Sequence, residues 1–288
     1  MTETALETTD GSPRPEERVR RSRTVLVTFL GSIVRRLGNW VPVAGAVEML
    51  GHSGLDEAGV RTAIFRLKQR GWLVAETRAK VKGYALTPLA LTALAAGDEV
   101  IWHARQAALL DQGWCIVHFT VAESERALRH KLRTHLTAIG FGNVGSAVWI
   151  APARMLDAAR KAIEELEMGS QSLIFVGDYA GGQDIDRLLR SGWDLEGIAE
   201  RYREFIALYS ERSRQLARSD GLDGPEALRC YLAVVDDWRP LPFSDPGLPA
   251  EVLGDDWPGP AAVTLFETLT LQLEGRALAH AAAFWPKA

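Results

Sequence analysis

The stretch from Asp56 to Ala90 leaves this chain the fewest conformational choices. Asp56 is a helix N-cap residue placed before EAGVRTAIFRLKQR, and Gly71 stops that run. Within it Val60, Ala63, Ile64 and Leu67 recur at helical spacing, so one stripe of the helix must be buried. WLVAET and YALT then flank the basic stretch RAKVKG, which predicts a hairpin with a charged tip, and Pro88 opens a further helix. Upstream, SRTVLVTFLGSIVRRL sets Val25, Phe29, Ile33 and Leu37 at four-residue steps. Pro42 opens a shorter helix, VAGAVEML, that Gly51 closes. Helix, helix, turn, helix, hairpin, helix is the order of a winged helix-turn-helix.

The pattern changes after residue 112. GWCIVHFTV reads as a strand, SERALRHKLRTHLTAIG as a helix with Leu128, Leu132 and Leu136 on one face, and GSAVWIAP as a strand. ARMLDAARKAIEELE and QSLIFVGDY add a helix and a strand. With a short strand over Phe141–Val144 this is the βαββαβ order of a ferredoxin-like domain. From Asp184 onward the pattern is helical, interrupted by the Pro-rich stretch RPLPFSDPGLPAEVLGDDWPGP before a last helix over Ala261–Phe284. The expected fold class is α+β. It comprises a disordered tail (1–21), a winged-helix DNA-binding domain (22–108), a ferredoxin-like middle domain (109–180) and a helical effector and dimerisation domain (181–288).

Charge distribution narrows the function. The chain carries a net charge of only −4, but residues 14–105 hold 15 Lys and Arg against 8 Asp and Glu, net +7. Residues 106–288 hold 18 against 26, net −8. A basic head on an acidic body fits a head that meets phosphates and a body that does not. No apolar run reaches the roughly 20 residues of a membrane span, and the polar N-terminal tail lacks the apolar core of a signal peptide. Cys115 and Cys230 are too few and too far apart for a disulfide framework or a zinc site, so they read as buried small apolar residues of a cytoplasmic protein.

In a helix-turn-helix the second helix enters the major groove. Opposite its apolar stripe this one carries Ala58, Arg61, Thr62, Phe65, Arg66 and Gln69. Arg61 is placed to fork onto a guanine edge and Thr62 to meet a thymine methyl or a phosphate. Arg66, Lys68 and Gln69 are placed for backbone contacts. Arg78, Lys80 and Lys82 would bring the hairpin tip over a neighbouring groove, with Arg35 and Arg36 on the flanking strand. Any one of these residues is equally at home on a solvated helix face. The reading rests on their coincidence with the two elements that dock in this architecture. Phe65 is the exception on the polar face and is expected to pack under the wing.

These residues resemble those of the PaaX family of phenylacetate-degradation repressors. The likeness runs through VRTAIFRLKQRGWL (Val60–Leu73), YALTPLA (Tyr84–Ala90) and LRTHLTAIGFGNVGSAVWIAP (Leu132–Pro152). It continues through GWDLEGIAERYREF (Gly192–Phe205) and DPGLPAEVLGDDWPG (Asp245–Gly259), covering roughly residues 23–285. The resemblance implies a homodimeric repressor that binds double-stranded operator DNA beside aromatic-catabolism genes. It also implies release by phenylacetyl-CoA or another aromatic acyl-CoA, and it carries the recognition-helix role to Arg61, Thr62 and Arg66. In the acidic C-terminal region Trp193, Arg201, Tyr202, Arg239 and Trp257 supply aromatic walls and cations suited to such an effector. The same residues serve equally as core aromatics and ion-pair partners.

No cofactor, metal or catalytic residue is expected. Gly140–Gly145 spells GFGNVG, but a helix precedes it and β-prone AVWI follows, the reverse of a dinucleotide site, so its glycines are expected to turn the chain at the helix end. The six histidines are scattered, and the pairs Asp236–Asp237 and Asp255–Asp256 do not converge on one helix face. The principal alternative is a ferredoxin-like metal-dependent nuclease using Asp178 and delivered by the winged helix, although such chemistry needs several acidic ligands. A protein-interaction scaffold without sequence preference is the other.

Overall fold

The structure is a computed structural model that describes residues 24–103, 107–182, 184–218 and 222–286. The tail expected to be disordered lies outside the described residues. The chain is α+β, with one three-stranded and one four-stranded antiparallel sheet. Two compact units emerge. Among the described residues the first comprises 24–92, 222–236 and 273–286, and the second 93–218 and 237–272.

The first unit holds helix α1 (24–37), strand β1 (Trp40–Pro42), helices α2 (Val43–His52) and α3 (Glu57–Gln69), and the hairpin β2 (Leu73–Arg78)–β3 (Val81–Leu86). This is the winged helix, and β1 is an addition to the sequence reading. It pairs with β3 in register Trp40↔Ala85, giving sheet order β1-β3-β2. Helix α2 runs one residue past Gly51 to His52, and the turn falls at Gly54, at φ +79°, within the Ser53-Gly54-Leu55 turn that the sequence predicts.

The four-residue spacing of α1 predicts one buried face, yet Val25, Leu26, Thr28, Phe29, Leu30, Ser32, Ile33 and Val34 are all buried. A helix apolar on every side needs cover on every side, and the C-terminal helices supply it. Helices α9 (Gly224–Trp238) and α12 (Gly259–Ala282) each contribute part of their length to this unit. Thr28 donates a hydrogen bond to Asp236 at 2.6 Å, Arg36 pairs with Glu274 at 2.8 Å, and Tyr231 donates to Glu274 at 3.4 Å.

At the end of α2, the His52 and His280 rings lie 5.9 Å apart, and Phe284 meets His280 edge-on. His280 Nε2 is buried and has no hydrogen-bond partner among the described residues. Burial, then the His52 charge, hold the His280 pKa below its ordinary 6.5, with Asp223 and Glu48 acting the other way. A depressed folded-state pKa means that the unfolded chain takes up the proton first. Stability is therefore whole above about pH 6.5 and falls as the pH drops from there through the folded-state value. His280→Gln should flatten the decline in melting temperature between about pH 7 and 5 that the native protein shows. Parallel pH profiles would disprove the assignment.

Helix α4 (Pro88–His103) follows the hairpin, and the second unit contains β4 (Trp114–Phe119), α5 (Arg126–Ala138), β5 (Gly142–Gly145), β6 (Val148–Pro152), α6 (Leu156–Glu165) and β7 (Ser172–Gly177). The sheet order β5-β6-β4-β7 is that of a ferredoxin-like domain. Alternate residues Cys115, Val117 and Phe119 face Leu132 and Leu136 of α5 and Ala159 and Ile163 of α6 in one core. Burial pushes the Cys115 thiol up to about 11 against the lowering influence of Arg160, which leaves it unreactive.

The helical remainder departs from the sequence reading in two places. A break at Trp193–Asp194 separates α7 (Ile185–Gly192) from α8 (Leu195–Arg218), where Asp194 accepts from the Gly197 amide at 3.0 Å. The Pro-rich stretch contains α10 (Pro240–Ser244) and α11 (Ala250–Leu253), two short helices. Asp245 holds that stretch, accepting from Tyr202 Oη at 2.9 Å and from the Gly247 amide at 2.7 Å.

Candidate nucleic-acid interface and apolar cleft

Helix α3 begins where Asp56 Oδ1 accepts from the Gly59 amide and ends at Gly71, whose φ is +73°. Val60, Ala63, Ile64 and Leu67 are buried, so the helix orientation is fixed and its opposite face is committed to solvent. That face presents Ala58, Arg61, Thr62, Phe65, Arg66 and Gln69. Arg61 forms an exposed pair with Glu57 one turn earlier, at 2.7 Å, which a phosphate or base edge can displace at small cost. Lys68 lies over the Tyr84 ring at 5.4 Å. Phe65 is 58% exposed rather than packed under the wing. It sits opposite the buried stripe.

The wing is tighter than the sequence reading made it. Its turn is Ala79–Lys80 alone, since Val81 already pairs with Arg78 and Lys82 with Thr77. Both turn residues have positive φ, +46° and +66°, as a two-residue turn of this kind demands. Neither is glycine or asparagine, so the tip carries local strain. Lys80 and Lys82 are exposed. Arg78, expected at the tip as a phosphate contact, folds back instead. It pairs with Glu76 at 2.6 Å, donates to the Gly38 carbonyl at 3.2 Å and lies 5.4 Å from the Trp40 ring centroid. Arg36 is likewise engaged, with Glu274.

In the second unit a cleft of about 630 Å³ opens between α5, β5, β6, α8 and α10. Phe141, Trp149, Trp193, Ile198 and Phe243 form its apolar wall, and Arg201 is its cation. No ion pair or hydrogen bond engages the Arg201 guanidinium among the described residues. Gly142 lies flat against the Trp193 indole, leaving no room for a Cβ, and the indole N–H donates to the Gly140 carbonyl at 3.1 Å. Gly140, at φ +92°, turns the chain at the end of α5, so GFGNVG serves helix termination and ring packing.

Of the five residues expected around an effector, only Trp193 and Arg201 line this cleft. Tyr202 is 2% exposed and structural, bonded to Asp245 with Trp257 edge-on at 6.1 Å. Arg239 lies at the start of α10, outside the cleft lining. Phe141, Trp149 and Phe243 were missed because each belongs to a different element and no local spacing joins them. Asp178 is exposed beyond β7, and among the described residues no group of three or more His, Cys, Asp or Glu side chains comes together. No described helix is long and apolar enough to cross a membrane.

Comparison with known proteins agrees with this architecture. Three family models match in tandem: the PaaX-like protein model over residues 21–89, the PaaX protein central Cas2-like domain over 107–189, and the PaaX-like protein C-terminal domain over 193–283. The transcriptional repressor PaaX of Escherichia coli (strain K12) is 24% identical over 264 residues, spanning 90% of this chain and 82% of the relative. A solved structure, the uncharacterized protein Rv0674 from Mycobacterium tuberculosis, superposes with a TM-score of 0.59 at 21% identity. It covers 90% of this chain and 98% of that one, and so shares the fold. Nothing in the comparisons supports a nuclease. With all three of its domains matched in order, the chain belongs to the PaaX family of transcriptional regulators.

Proposed function

We propose that the protein is a homodimeric, cytoplasmic repressor of an aromatic-catabolism operon. It grips operator DNA through α3 and the wing and lets go when an aromatic acyl-CoA such as phenylacetyl-CoA occupies the cleft. The observation that carries this reading is the two-sidedness of α3. Its apolar stripe is fully used by the head, and the opposite face, polar and basic apart from Ala58 and Phe65, is exposed to solvent. Arg61 and Thr62, nearest the helix N-terminus, contact base edges. Arg66, Lys68 and Gln69 follow the backbone with Lys80 and Lys82 of the wing. The cleft falls in the size range of small-molecule sites and pairs an apolar wall with one unengaged guanidinium. Effector binding repositions the two heads so that they no longer match half-sites about 34–36 Å apart.

Footprinting on DNA upstream of the protein's own gene, with and without phenylacetyl-CoA, tests the proposal. Protection lost on adding the thioester supports it, and a thioester that binds tightly without altering protection refutes the release mechanism. Two substitutions separate the roles. Arg61→Ala should weaken discrimination at one base position by about 1–3 kcal/mol. Lys80→Gly should relax the strained turn, stabilising the head by up to about 1 kcal/mol. The same change should lower affinity for all sequences and reduce the salt slope by about 1. A Lys80→Gly protein that loses base preference alone would reverse this division.

A further inference from the structure

Phe65 stands out on a surface otherwise built for water and phosphate. It is 58% exposed although every other large apolar residue of α3 is buried. Its neighbours explain where it points. Ala58, Thr62, Phe65 and Gln69 follow one another at steps of four, three and four, so they form a single uncharged line along the centre of the outward face. Arg61 and Lys68 flank that line on one side, and Arg66 and Arg70 flank it on the other. A neutral ridge between two basic margins is complementary to a duplex groove, with bases at the floor and phosphates at both rims. The phenyl ring has no donor or acceptor. It gains free energy in such a groove only by burying apolar surface, and the one apolar group on the major-groove floor is the thymine 5-methyl.

We propose that Phe65 is a specificity-determining residue that reads a thymine methyl group in the operator, one turn further along α3 than Arg61 and Thr62. The proposal rests on the reading of α3 as the recognition helix. The side chain is 58% exposed, so its removal should cost the fold little and isolate the contact. Thr62, adjacent on the same line, offers a methyl and a hydroxyl to the neighbouring base.

The test uses the full chain and a duplex recovered by selecting a random DNA library against it. Each thymine of that duplex is replaced singly by deoxyuridine, which removes only the methyl. The native protein should bind roughly fourfold more weakly at one position per half-site, the transfer value of one buried methyl group. Phe65→Ala should melt like the native protein and bind the unsubstituted duplex more weakly. It should no longer distinguish thymine from uracil at that position, whereas Phe65→Leu should retain part of the difference. A Phe65→Ala protein with undiminished thymine preference, or with unchanged affinity, overturns the role of Phe65 and leaves α3 as the recognition helix. A native protein that selects no sequence from the library removes both.

Discussion

Trp40→Ala is expected to destabilise the first unit by about 3–5 kcal/mol and to abolish operator binding with it. Trp40 is among the largest fully buried side chains. Its indole N–H donates to the Glu76 carbonyl of β2 at 3.2 Å, its ring lies against Gly83 of β3, and the Arg78 guanidinium sits 5.4 Å from its centroid. One ring thus anchors both strands of the wing and Arg78 at the end of β2. Truncation leaves a cavity, and it frees the hairpin that carries Lys80 and Lys82. A domain stable by about 5–15 kcal/mol has little margin against such a loss. Trp40→Phe keeps most of the packing and forfeits the hydrogen bond, for about 1 kcal/mol. Urea unfolding and duplex binding measured on both variants check the ranking. An alanine variant that melts and binds like the native protein would show that the wing is held by something else.

Trp238→Ala should be as damaging to the second unit, again by about 3–5 kcal/mol. Trp238 is fully buried and stacks on Phe266 with centroids 4.6 Å apart and planes 13° from parallel. Phe205 and Tyr202 tilt against it at 5.4 and 6.1 Å, and its indole N–H donates to the Ile101 carbonyl at 2.8 Å. Such ring pairs add to the value of simple burial. The functional consequence follows from its place in the chain. Helix α10 begins two residues later, and Pro240, Phe243 and Ser244 form one side of the cleft. Loosening Trp238 frees that wall. Thermal melting with and without phenylacetyl-CoA should show a lowered midpoint and a lost ligand-induced rise. A rise of native size in the variant would place the thioester elsewhere.

Much of the head could be read from sequence because its signals are local. Asp56 as cap, the Val60–Leu67 stripe and Gly71 as stop lie within one helix, and each acts as its chemistry dictates. The ferredoxin-like order was readable for the same reason. What escaped depends on distant partners. Three residues at β1 carry no periodicity, and only pairing with β3 makes them a strand. The four-residue spacing in TVLVTFLGSIV shows one buried face of α1 and not its full burial, because the cover comes from helices some 200 residues onward, as the Thr28–Asp236 bond shows. Arg78 reads as a wing-tip cation until Trp40 is placed beside it. The aromatic-and-arginine density of the C-terminal region contains both cleft and core, and nothing short of the fold separates Trp193 from Tyr202.

Salt-dependent binding decides whether α3 and the wing hold a specific duplex. Affinity for DNA upstream of the protein's own gene, and for a shuffled duplex of equal length, would be measured over a range of salt concentrations. The native protein should prefer the upstream duplex, its affinity should fall linearly on a log–log plot, and Lys80→Ala should lower that slope by about 1. Equal affinity for both duplexes, or a slope that Lys80→Ala leaves unchanged, would show that α3 and the wing do not hold a specific duplex in this way.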